Sequence, residues 1–277
     1  MVDLLERASR SINRAREAAT MIGRRAADTA TRRALMDIYS HLGSTERYGE
    51  IFDLKLRLAG RTVPMRIRLG DIFVLGEIMA EGQYRLRSPL RDPAVIVDAG
   101  ANIGASALWF ACQFPDAQLH AFEPEARNFA LLSTNLASLP KATCFREAVG
   151  RSAGEVALHL GTSEATHSIV DGFPDAESGP VEMVPVTTLA AHMEAQGLRR
   201  IDLLKLDVEG AELDALVGLD ARIADVRVIV GELHEHVVDA TEFYTFLKDA
   251  GFRIVARTAF REGNVTGVHG FEAARKF

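Results

Sequence analysis

The sequence predicts an α/β fold: a mostly parallel sheet with helices on both faces, preceded by a helical extension and a β-hairpin. Three observations predict it. From Ala94 onward, apolar runs of strand length alternate with helical patterns, which implies parallel strands joined by helical crossovers. The stretch Val95-Ile-Val-Asp-Ala-Gly-Ala-Asn-Ile-Gly104 reads as a buried strand that ends in a tight turn and opens a helix. A second apolar strand, Gln118–Phe122, then ends on an acidic residue, Glu123.

Residues 1–45 read as a helical unit. Leu4, Ala8, Ile12, Ala15, Ala19 and Ile22 recur at helical spacing with arginines on the opposite face. Ala34, Leu35, Ile38 and Leu42 continue the pattern, and Gly23 is the expected division. A membrane-surface helix would carry bulky apolar residues where this one has alanine. The segment is therefore read as a cap on the domain or as a contact to a second copy, a route to a homo-oligomer.

Residues 46–90 lead into the core. Ile51, Leu54, Leu56 and Leu58 alternate with polar residues, as do Val63, Met65, Ile67 and Leu69, with Gly60 between the runs: a hairpin. Ile72 to Met79 is a short helix, followed by Gly82-Gln-Tyr84. Residues 91–277 form the main domain. Its strands are expected at 94–98, 118–122, 142–147, 202–207, 226–231, 252–257 and 265–272. Its helices include Gly104–Phe114, Arg127–Leu136, Glu209–Val217 and Glu242–Ala250. Arg261-Glu-Gly-Asn264 signals a hairpin between the last two strands. Between Ala148 and Val186 the crossover helix is missing, and a hairpin plus a long loop takes its place. Residues 160–180 are read as a loop that folds over a substrate.

The glycine turn narrows the ligand class. A dinucleotide fold spaces its glycines G-x-G-x-x-G, because the backbone must approach a pyrophosphate. Here Asn102 and Ala105 stand where the second and third glycines would be. Gly100 supplies backbone angles closed to other residues, and Gly104 allows close helix packing. The turn suits a nucleoside ligand without a pyrophosphate, and S-adenosylmethionine (SAM) is the first candidate. Glu123, about twenty residues beyond, is placed to accept hydrogen bonds from both ribose hydroxyls. Asp98 ends the first strand, near the amino-acid part of such a cofactor.

These pieces resemble the FkbM family of SAM-dependent methyltransferases. The matching segments are VDAGANIG (97–104), AFEPEARNFALLSTNL (121–136), EAVG (147–150) and IDLLKLDVEGAELDALVG (201–218), in the family's order. The resemblance runs from about Asp71 to Arg257. LDVEGAE is its most specific segment. The resemblance implies a class I methyltransferase fold with a seven-stranded sheet, a preceding hairpin and short helix, and methyl transfer, usually to oxygen. It also implies a cofactor site formed by Tyr84, Asp98, Ala99, Gly100, Asn102, Gly104, Glu123, Pro124, Ala148, Val149 and Asp207.

Composition excludes other classes. No apolar run reaches the length of a membrane span, and the N-terminus lacks the apolar core of a secretory signal. Asp3, Glu6, Glu17 and Asp28 interrupt its arginines, against a transit peptide. A net charge of −6 argues against general nucleic-acid binding. Cys112 and Cys144 lack metal-ligand spacing and read as small hydrophobes in a reducing, cytoplasmic compartment.

Chemistry is expected at the carboxyl ends of the central strands. Ile201, Leu203, Lys205 and Asp207 share one side of their strand. A lysine in so apolar a strand reads first as a structural ion pair; a catalytic base would need desolvation to lower its pKa. Asp207 and Glu232 end adjacent strands. They suit either a divalent cation or a division of labour, one positioning ligand and the other pairing with Lys205. The favoured reading has no metal, because the Asp-Asn ligand pair of metal-dependent methyltransferases is absent after the fifth strand. Glu212 suits the helix dipole, and Glu209 lies nearer the strand end. His234, in Glu-Leu-His-Glu-His236, is the leading base for an acceptor hydroxyl, with His167 a weaker candidate.

The expected activity is O-methylation of a small molecule such as a sugar or polyketide. Most of its acceleration would come from aligning oxygen, methyl carbon and sulfur. The alternatives are an NAD-dependent oxidoreductase, which Asn102 and Ala105 disfavour, and an inactive SAM-fold binding module. A nucleic-acid methyltransferase would carry Asn/Asp-Pro-Pro-Tyr where this chain has Asp-Val-Glu-Gly.

Overall fold

The computed structural model describes residues 2–161, 167–170, 180–259 and 267–275. Its described residues fall into two compact units, 1–83 and 84–275. The hairpin signal at 261–264 and most of the 160–180 loop lie outside the described residues.

The first unit opens with helix α1 (Val2–Thr20), a π-helical turn (Met21–Arg25) and helix α2 (Thr29–Ser40). The division expected at Gly23 falls instead at Ala26–Asp28. The Asp28 side chain caps α2 by accepting from the Thr31 N–H at 2.8 Å, and Ala26 bridges to Leu56. Side-chain capping by Asp28 outweighs the helix-breaking tendency of Gly23. Strands β1 (Ile51–Leu58) and β2 (Arg61–Arg68) form the expected hairpin, and Leu54, Leu56, Leu58, Met65 and Ile67 are buried along one face. A four-residue helix α3 (Ile72–Leu75) and a second π-helical turn end at Gly82.

The second unit carries the expected seven-stranded, mostly parallel sheet. Its elements in chain order are β3 (Val95–Ala99), α4 (Ala105–Gln113), β4 (Gln118–Phe122), α5 (Ala126–Leu136) and β5 (Ala142–Phe145). A side sheet follows: β6 (Ala148–Val149), β7 (Gly154–His159) and β8 (Val181–Thr187). Then come α6 (Leu189–Ala195), β9 (Ile201–Leu206), α7 (Glu212–Val217), β10 (Val226–His234), α8 (Ala240–Asp249), β11 (Arg253–Ala259) and β12 (Val268–Ala274). The large sheet runs β11-β12-β10-β9-β3-β4-β5. Strand β12 runs antiparallel to both β10 and β11. Among the described residues no helix is long and apolar enough to cross a membrane.

The two faces of this sheet differ. One buries Val97, Leu204, Leu206, Ile229 and Leu233 against Met193 of α6, Leu216 of α7 and Phe243 and Leu247 of α8. On the other face α4 approaches, and its Ser106 hydroxyl donates to Asp98 at 2.6 Å. Because side chains alternate along a strand, this second face also receives Lys205, Val230 and Glu232. Strand order reverses between β3 and β9, which is where an open α/β sheet leaves a crevice.

Gly231 lets β10 lie close to β9. A Cβ there would sit 1.8 Å from the Leu206 carbonyl oxygen. Gly231→Ala is expected to lower stability by about 3 kcal/mol, the upper range of overpacking, measured by urea denaturation.

Candidate active site at the carboxyl edge of the sheet

The turn after β3 is shaped by what passes beside it. Gly100 has φ +78°, and a Cβ on it would lie 1.8 Å from the Asp207 carbonyl oxygen. Its N–H and that of Ala101 donate to the Phe122 carbonyl, tying the turn to β4. Asn102 follows with φ +49°. Its N–H donates to Glu123 Oε2 at 2.9 Å, while Glu123 Oε1 accepts from the Glu125 N–H at 2.9 Å. Burial pushes the Glu123 pKa up to about 7, although these two N–H groups pull it down. Each carboxylate oxygen keeps a further lone-pair direction for a ligand hydroxyl. Pro124 continues the chain from Glu123, and Ala148 and Val149 are the buried strand β6.

Lys205 is the centre of the second cluster. Its ammonium, 2% exposed, lies 3.2 Å from Asp98 Oδ1 and 3.5 Å from Asp207 Oδ2. It also donates to the Gly100 carbonyl at 2.5 Å and the Ala99 carbonyl at 3.3 Å. Burial disfavours the charge, but Asp98 and Asp207 outweigh it and hold the pKa above its ordinary value. Such a group is a fixed cation, not a base, and the ion-pair reading of Lys205 is the one that the geometry supports. Asp98 itself is fully buried between Ser106 and Lys205, where it holds the ammonium.

Tyr84 spans the outer carboxylates. Its hydroxyl donates to Asp207 Oδ2 at 2.8 Å and lies 3.4 Å from Glu232 Oε1. Burial and these two carboxylates raise its pKa well above the usual phenol value. The segment behind it is held by Glu272 of β12, which accepts the Arg87 and Ser88 N–H groups at 2.7 and 2.6 Å. Asp207, Glu232 and His234 each offer one ligand atom, all within 4.8 Å of one another. The Lys205 ammonium beside Asp207, and the Tyr84 hydroxyl between the carboxylates, make this a poor nest for a divalent cation.

His234 ends β10 and turns into a third cluster. Its Nδ1 lies 2.9 Å from Glu212 Oε1, and its Nε2 lies 3.1 Å from Glu209 Oε2. Burial opposes the positive charge, but the two carboxylates outweigh it and push the His234 pKa up to about 12. The sequence suggested a proton acceptor at His234. Both ring nitrogens are directed at carboxylates, an arrangement that favours the charged form of the ring. Glu212 does more than complement the helix dipole: its Oε1 also accepts the Gly210 N–H at 3.0 Å and the Val208 N–H at 3.3 Å. The His236 ring meets that of His234 edge-on, with centroids 5.8 Å apart. His167 accepts the Gly161 N–H at 3.0 Å, and its charge helps to draw the Glu125 pKa down.

One contributor was invisible in the sequence. Ser168, almost fully buried, donates from Oγ to the Glu209 carbonyl at 2.5 Å. Its only sequence signal is a place in a long polar stretch beside His167.

The Methyltransferase FkbM domain family matches residues 98–254, more than half the chain. The sequence is 30% identical over 213 residues to Methyltransferase sdnD of Sordaria araneosa, covering 66% of this chain and 82% of that protein. It is 28% identical over 234 residues to 31-O-demethyl-FK506 methyltransferase FkbM of Streptomyces tacrolimicus, covering 73% and 89%. It is 30% identical over 154 residues to 2-O-methyltransferase NoeI of Sinorhizobium fredii (strain NBRC 101917 / NGR234), covering 51% and 63%. With the strand order above, this identifies the second unit as a class I methyltransferase fold.

Two outcomes follow from the charges. Lys205→Met leaves Asp98 buried without its cation and is expected to cost about 3–5 kcal/mol in chemical denaturation. His234 carries a raised pKa in the folded state, so its stabilisation is complete below its ordinary value of 6.5. It declines as pH rises toward about 12. His234→Asn is therefore expected to destabilise the protein near pH 6 and to flatten its loss of stability between about pH 7 and 10.

Proposed function

Because the chain belongs to the FkbM-domain family of methyltransferases, we propose that it transfers the methyl group of SAM to a hydroxyl oxygen of a small molecule. The observation that carries this reading is the pairing of the Gly100–Gly104 turn with Glu123 on one side of the crevice and a charged row on the other. In that row, among the described residues, Asp98, Asp207, Glu209, Glu212 and Glu232 stand with Lys205 and His234. An anionic surplus suits a cofactor that carries a sulfonium and an ammonium. Glu123, with lone pairs left beyond its two backbone donors, suits a ribose. The names of two relatives, a 31-O-demethyl-FK506 methyltransferase and a 2-O-methyltransferase, support oxygen as the acceptor. Cys112 and Cys144, which form no disulfide among the described residues, suit the cytoplasm.

In this reading bound SAM supplies the electrophilic methyl group. Tyr84, Asp98, Ala99, Gly100, Asn102, Gly104, Glu123, Pro124, Ala148, Val149 and Asp207 form the cofactor side. Lys205 keeps the turn rigid by holding the Ala99 and Gly100 carbonyls. Asp207, Glu232 and the His234 cluster line the acceptor side. Catalysis is mainly alignment of acceptor oxygen with methyl carbon, and the carboxylates orient the hydroxyl. No step needs a metal.

Calorimetry is expected to show binding of SAM and of S-adenosylhomocysteine (SAH). Glu123→Ala is expected to weaken both by about 1.5–3 kcal/mol, the worth of hydrogen bonds to a charged group. Folded protein that binds neither ligand overturns the reading. A mass-spectrometric screen of hydroxylated metabolites incubated with SAM is expected to find a product heavier by one methyl group. Transfer is expected to continue in EDTA; loss on chelation, restored by magnesium, would instead place a cation between Asp207 and Glu232.

A further inference from the structure

If His234 is an imidazolium, the proton of an acceptor hydroxyl must go elsewhere. Glu209 is built for that position. It follows the end of β9 in the left-handed region, with φ +51°, and Gly210 after it has φ +96°. A non-glycine residue holds that conformation only where its surroundings over-determine it. Here they do. The Ser168 hydroxyl holds the Glu209 carbonyl, and Glu212 holds the Gly210 N–H. The Glu209 side chain then reaches His234 through Oε2, while Oε1 has no hydrogen-bond partner among the described residues. The side chain is 21% exposed, enough for a ligand to reach it.

We propose that Glu209 is the proton acceptor in methyl transfer, and that His234 and Ser168 are the positioning residues that aim its free oxygen. This rests on the methyltransferase reading above. The step balances without a further reactant. The acceptor oxygen forms its bond to the methyl carbon as the carbon–sulfur bond breaks, and that electron pair stays on sulfur. The hydroxyl proton passes to Glu209 Oε1 and later to solvent.

The surrounding charges suit the role. Burial pushes the Glu209 pKa up to about 7, with His234 drawing it down and Asp207 and Glu212 pushing it up. The charged groups that face it are Asp207, Glu212 and His234, with Glu232 and Lys205 beyond Asp207. A base poised near neutrality combines the correct protonation state with useful proton affinity.

The test uses the full chain, with SAH as the binding probe and the acceptor found by the product screen. Glu209→Gln is expected to lower kcat by about 100-fold or more while SAH affinity stays near that of wild type. Glu209→Asp is expected to recover part of the loss. The acidic limb of the wild-type pH–rate profile is expected near 7. In His234→Gln it is expected to move to higher pH, because the cation that lowers the Glu209 pKa is gone. In parallel, NMR of carboxyl-labelled glutamate in the SAH complex is expected to show a Glu209 midpoint near 7, while the His234 ring stays protonated well above neutral pH.

Glu209→Gln that turns over like wild type overturns the assignment. So does His234→Gln that abolishes turnover at every pH while Glu209→Gln does not. A Glu209 carboxyl that titrates in the ordinary range also overturns it, whether or not an acceptor is in hand. Wild-type protein that binds neither SAM nor SAH is a separate result, and it sinks the functional reading rather than the choice of base.

Discussion

The buried Lys205 ammonium is the constraint on which the rest of the site depends. It sits where β3 and β9 run side by side, at the reversal of strand order. Removing an ammonium from water is costly unless several acceptors replace the lost solvent. Asp98, Asp207 and the carbonyls of Ala99 and Gly100 are those acceptors. The carbonyls belong to the glycine turn, so the same cation that neutralises the carboxylates also fixes the turn's direction. Gly100 follows from this geometry, because the Asp207 backbone leaves no room for a side chain there.

From that fixed point the charges extend across β10 to His234. Tyr84 links Asp207 to Glu232, and His234 links Glu209 to Glu212. Each link joins residues from different strands or loops. The anionic surplus, the strained backbone at Glu209 and the weakly acidic Glu123 all lie at one edge of one sheet. Elsewhere the second unit is conventionally packed, with apolar side chains between the sheet and α6, α7 and α8. Unbalanced charge concentrates at the crevice, where a ligand can make use of it.

Local features were legible in the sequence. The strand at 95–99 was visible as an uninterrupted apolar run, and the turn after it as two glycines four apart. The hairpin was visible because one face is buried and side chains alternate. Glu123 could be placed because it follows the second strand directly. The ion pair of Lys205 was legible too, since a lysine amid Ile201, Leu203, Leu204 and Leu206 must find a carboxylate. By contrast, α6 was not separated from its surroundings, and the break between α1 and α2 was placed at Gly23. The misplaced break comes from weighing the intrinsic tendency of glycine above capping: Asp28 caps α2.

The sequence by itself determined the α/β class, the seven strands, the glycine turn and its acidic partner, because each is written in contiguous residues with a fixed period. Only the tertiary structure decided the protonation chemistry. His234 looked like a base because an isolated histidine titrates near neutrality. Its two carboxylate partners come from the loop after β9 and from the first turn of α7, some two dozen residues earlier in the chain. Ser168, which holds Glu209, comes from another loop still. A pKa is set by whatever charges folding brings within a few ångströms, and no spacing along the chain carries that information.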